Sequence, residues 1–145
     1  MMDLYHDLGV VHLLDPQDVA HADTVSEILD RKGFDGACVC AVVGALTGVD
    51  VDNYLTPVLQ ESDSVADADF SDVAAADMTG AFAKIDAATE DQVTQLVGYI
   101  GRKRYIRVKF GFTGTGITAA LIAALGVLGH ARDLPATAPD PVTAT

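Results

Sequence analysis

At 145 residues, half of them hydrophobic and 21% charged, the chain has material for one buried core and is too apolar to stay disordered. Its formal net charge of -12 argues against nucleic acid as a partner, because phosphates would be repelled before contact. With no Trp in the chain, the core falls to Val, Leu, Ile and Ala, with a few Phe and Tyr as larger fillers.

Residues 1–23 are acidic, carry His6, His12 and His21, and lack a clean period. They are expected to form an N-terminal arm, with DPQD at 15–18 as a turn or helix start. Asp3 and Asp7 stand where the cationic region of a secretory leader would lie, so no leader is expected. Residues 24–30 read as a first strand, followed by turn signals at Lys32-Gly33 and Asp35-Gly36. Residues 37–46 (ACVCAVVGAL) are apolar on both faces, as in a strand at the middle of a sandwich. Cys38 and Cys40 point to the same side of that strand and read as small buried hydrophobes. Residues 54–61 form a further strand, placed on an edge or at a bulge by Pro57, which lacks an N–H.

Residues 62–72 read as an Asp- and Ser-rich loop with a short strand near Phe70, and 81–85 as a brief strand. Residues 93–100 and 103–112 are expected to pair as a hairpin through Gly101-Arg102. In the second, Ile106, Val108, Phe110 and Phe112 alternate with Tyr105, Arg107, Lys109 and Gly111, the clearest period of two in the chain. Residues 117–128 are a last core strand, since 12 residues fall short of the ~20 that span a bilayer as a helix. Pro135, Pro139 and Pro141 mark 131–145 as an extended, weakly ordered tail. The whole reads as an antiparallel β-sandwich or jelly roll at 24–130, flanked by the arm at 1–23 and the tail at 131–145.

Reactive constellations are weak in this sequence. The run 114–119 (GTGITA) matches a dinucleotide turn, yet too little chain follows it for the parallel strands that such a turn opens, so a tight hairpin turn is expected. Asp67, Asp69 and Ser71 fit the start of a calcium loop, but Asp72 stands where its Gly belongs and Met78 where its bidentate Glu belongs. The histidines form no ligand pair, and no nucleophile elbow is present. No catalytic residue, metal ligand or cofactor site is therefore expected, and the chain is not expected to be an enzyme. What stands out instead is Arg102, Lys103, Arg104, Arg107 and Lys109, five of nine basic residues within eight positions. They are the expected partner contacts, meeting acidic groups on a neighbouring copy or another protein.

The ordered set QESDS (60–64), FSDVAAADMTGAF (70–82), VGYIGRKRYIRV (97–108) and LGVLGHAR (125–132) resembles a family of small proteins encoded in the head-gene region of tailed phages and prophages. The resemblance covers about residues 25–134, departing from the family pattern after Gln60 and at 87–92. It implies a virion structural protein, a decoration or cement protein on the outer capsid surface, made in the host cytoplasm. Its implied partners are the major capsid protein and further copies of the chain, as a dimer or trimer, without nucleic acid or membrane. A head–tail connector or tail component, and a host-surface or glycan-binding sandwich, are the alternative expectations.

Overall fold

The computed structural model describes residues 3–145. Ten strands follow a single helical turn at Leu4–Asp7: β1 (Gly9–Asp18), β2 (Thr24–Val25), β3 (Leu29–Asp30), β4 (Phe34–Thr47), β5 (Tyr54–Ser62), β6 (Ser71–Asp72), β7 (Met78–Thr79), β8 (Val93–Tyr99), β9 (Tyr105–Thr113) and β10 (Ala119–Ala131). They form two antiparallel sheets packed face to face. The first runs β1-β10-β4-β8-β7; the second runs β2-β9-β5-β6, with β3 also on β9. The pairings nest: first strand with last (β1 with β10), β2 and β3 with β9, β4 with β8, and β5 with β6. That is one long antiparallel ribbon rolled up until β4 meets β10 and β5 meets β9, which is the jelly-roll arrangement.

The core lies between the sheets and is built by strand alternation. Ile106, Val108 and Phe110 of β9 are fully buried and face Val39, Ala41 and Val43 of β4 and Ile122, Ala124 and Leu128 of β10 across the interior. At Pro57, β5 is a local edge although it lies inside its sheet: one flank pairs with β9, and on the other the two residues of β6 reach only Gln60 and Glu61. Beside Pro57 that flank is therefore unpaired, and the missing N–H leaves no gap in a ladder.

Three connections differ from expectation. Gly101-Arg102 does not close a hairpin, because β8 belongs to the first sheet and β9 to the second; the segment is a corner between layers. The GTGITA run is likewise a corner, from β9 to β10. Its glycines are required by close approach: a Cβ on Gly116 would stand 2.6 Å from the Asn53 side chain, and Gly114 has φ +78. The Asn53 Oδ1 in turn accepts the Gly116 N–H at 2.7 Å. Residues 81–85 form no strand; only Ile85 bridges to Leu55.

The termini also differ. Residues 1 and 2 lie outside the described part, but the rest of the expected arm holds β1, whose Val11 and Leu13 are in the core. Two register shifts, flanking Leu14, hid its period from the sequence. The tail is extended yet docked. Val142 and Ile28 exchange backbone hydrogen bonds of 3.0 and 2.8 Å, Ala136 N–H reaches His6 O at 2.8 Å, and Thr145 bonds Val65 and Asp67.

Candidate functional site: an open apolar face and a basic basin

The central strands β4 and β10 are apolar on both sides, a pattern that ordinarily means both faces of a sheet are covered. Here the second sheet covers only one. On the other, the register lines up Val10 and His12 of β1, Leu121, Ala123, Leu125 and Val127 of β10, Cys38, Cys40 and Val42 of β4, and Thr94 and Leu96 of β8. None of these positions is Asp, Glu, Lys or Arg. The larger side chains at the margins are open to solvent: Val10 and Leu96 are 61% exposed and Leu121 is 49% exposed. Strand spacing gives this face a span of roughly 20 Å by 15 Å, or about 300 Å². Patches of that size on a single chain often mark binding sites. Cys38 and Cys40 sit half-buried at its centre, and desolvation raises both thiols above their ordinary value.

A second feature lies at one end of the first sheet. The register sets Ala131 opposite Phe34 and Ala37 opposite Tyr99, so the end of β10, the start of β4 and the exit from β8 converge. Arg31, Lys32, Arg102, Lys103, Arg104 and Arg132 meet there around an open basin of about 280 Å³. Three are paired. Arg104 grips Asp30 with two bonds of 2.9 and 2.8 Å, Lys103 reaches Asp63 at 2.6 Å, and Arg132 reaches Asp35 at 2.7 Å. Those hydrogen bonds from Arg104 and Lys103 hold the Asp30 and Asp63 carboxyls below their ordinary range. Arg31 stacks 4.6 Å over Tyr99 and donates to the carbonyls of Gly101 and Lys103, so it props the corner that carries the others.

Of the five expected contact residues, the structure brings Arg102, Lys103 and Arg104 into this basin and leaves two outside. Arg107 is 4% exposed: its guanidinium bonds Gln60 and Asp67 and lies 4.0 Å over the Phe70 ring, clamping the 63–72 loop to β9. Lys109 stands apart beside Asp23 at 3.4 Å. Arg31, Lys32 and Arg132, which complete the basin, are 28 to 71 positions away in sequence and reach it only through the sheet register. Asp67 is committed to Arg107, and among the described residues no group of three His, Cys, Asp or Glu side chains is placed to hold a metal.

No family model and no curated protein matches the chain. Among solved structures it is similar to one titled "Crystal Structure of FLHE", with 10% identity and a TM-score of 0.34, covering 88% of this chain and 99% of that one. A likeness that distant says nothing about activity or partners.

Proposed function

We propose that this chain is a non-enzymatic docking protein of the virion, a capsid decoration or cement protein that seats the open face of its first sheet on a subunit of the head shell. The observation that supports the reading best is that face: two central strands apolar on both sides, with only one side covered. The resemblance of residues 25–134 to phage head-region proteins supplies the shell as the surface it meets. About 300 Å² of apolar burial at ~25 cal/mol per Å² contributes at most about 7.5 kcal/mol before ordering costs. A single copy would therefore hold weakly on this face alone, which suits a protein that acts in many copies on a repeating lattice.

The test is co-sedimentation with shells assembled without this protein, followed by electron cryomicroscopy of the decorated particle. Leu96→Ser combined with Leu125→Ser should leave the fold intact and reduce occupancy at least tenfold. Undiminished binding by that variant, or a particle in which the face looks into solvent, would overturn the reading.

A further inference from the structure

The basin at the end of the first sheet collects six of the nine basic residues of a chain whose net charge is -12. Ion pairing inside the molecule does not use them up. Asp30, Asp35 and Asp63 answer Arg104, Arg132 and Lys103, while the side chains of Lys32 and Arg102 are exposed and pair with no carboxylate among the described residues. Arg31 Nε is buried without an acceptor. Asp133 is the acidic residue on the adjoining rim, beside Lys32.

We propose that this basin binds an acidic polypeptide segment, in which several carboxylates in sequence are met by Lys32, Arg102 and the outer faces of the paired arginines. The chemistry favours that ligand over other anions. The cations are spread over three separate segments around an open basin, which matches a row of separate carboxylates; a single phosphate would want converging donors at one point. Arginine presents a fork fitted to carboxylates, and Arg104 already holds one in that way. A nucleic acid would extend past the basin onto a surface of the opposite preference, where the chain's excess of acidic side chains would repel it. The inference does not depend on the shell reading, because it concerns a different surface and a different force.

The experiment is fluorescence anisotropy on the full chain with a labelled deca-glutamate peptide, and with inorganic phosphate and a single-stranded deca-deoxynucleotide as competitors. Binding at 50 mM NaCl that weakens at least fivefold by 300 mM is expected, since the Debye length then shrinks to well under 10 Å. Lys32→Ser with Arg102→Ser should lower affinity at least fivefold without moving the thermal midpoint, because both side chains are exposed and unpaired. Lys109→Ser removes one charge elsewhere and should change affinity less than twofold. Absence of peptide binding at low salt, equal losses in the Lys109→Ser variant, or displacement by phosphate or the oligonucleotide at lower concentration than by free peptide would each overturn the proposal.

Discussion

Tyr99 joins the two layers through one oxygen. Its ring is buried on β8, its hydroxyl donates to the Glu61 carboxylate on β5, and the same oxygen accepts the Lys103 N–H at 2.9 Å. Burial, and then the bond to Glu61, push its ionisation well above the ordinary value near 10. An acid whose folded value is raised contributes stability that is whole below the unfolded value and disappears as pH climbs past it. Urea midpoints should therefore fall as pH rises above 10. Tyr99→Phe should be less stable at pH 8 by about 1–2 kcal/mol, because the Lys103 N–H loses its acceptor, and should show a flatter alkaline decline. Equal slopes for the two proteins would contradict this account. Arg107 gives a companion case. Its two charged hydrogen bonds and its stacking on Phe70 fasten the 63–72 loop, so Arg107→Ala should cost about 2 kcal/mol in urea denaturation. A residue serving only a partner surface would change stability by a few tenths at most.

At the scale of strands, alternation along β9 and the apolar runs of β4 and β10 were legible because side-chain period depends on local sequence alone. Sheet membership was not. A Gly-rich corner between layers and a Gly-rich hairpin use the same residues, so Gly101-Arg102 and Gly114–Gly116 gave turns without saying which strands they would join. β1 was hidden by its register shifts, and the tail by composition: Ala, Thr and Pro say extended, and only Ile28 on the fold decides where such a segment lies. The docked tail has a consequence. Residues 135–145 cover Ile28, which is fully buried, and supply backbone partners to Ile28, His6, Val65 and Asp67. Deleting them should lower unfolding free energy by about 2–3 kcal/mol in urea, whereas a free tail would leave it unchanged within about 0.5 kcal/mol.

For the whole molecule, charge and the open face act against each other. The chain's isoelectric point near 4.3 means that at neutral pH the net charge of -12 opposes the approach of further copies, while the face of the first sheet, which carries no Asp, Glu, Lys or Arg, favours it. The basin was half visible in the sequence, since Arg102 to Arg104 are adjacent, but Arg31, Lys32 and Arg132 join them only through register; the open face was visible as two-sided apolar strands and not as an uncovered side. Lowering pH separates the two effects. Asp18, Asp30 and Asp63 all have folded values below the ordinary 3.8: backbone N–H bonds lower Asp18, Arg104 lowers Asp30 and Lys103 lowers Asp63. Carboxyls lowered in this way contribute stability that is present above the unfolded value and is lost only as pH falls through the folded one. At pH 4.5 the fold should therefore persist with little net charge left to oppose contact. Light scattering after size-exclusion chromatography should show larger species as pH falls from 7 to 4.5, with the β-sheet circular dichroism spectrum unchanged. The Leu96→Ser and Leu125→Ser variant carries the same charge and should show little or no growth in size under the same conditions. Equal association of both proteins would place the sticky surface elsewhere.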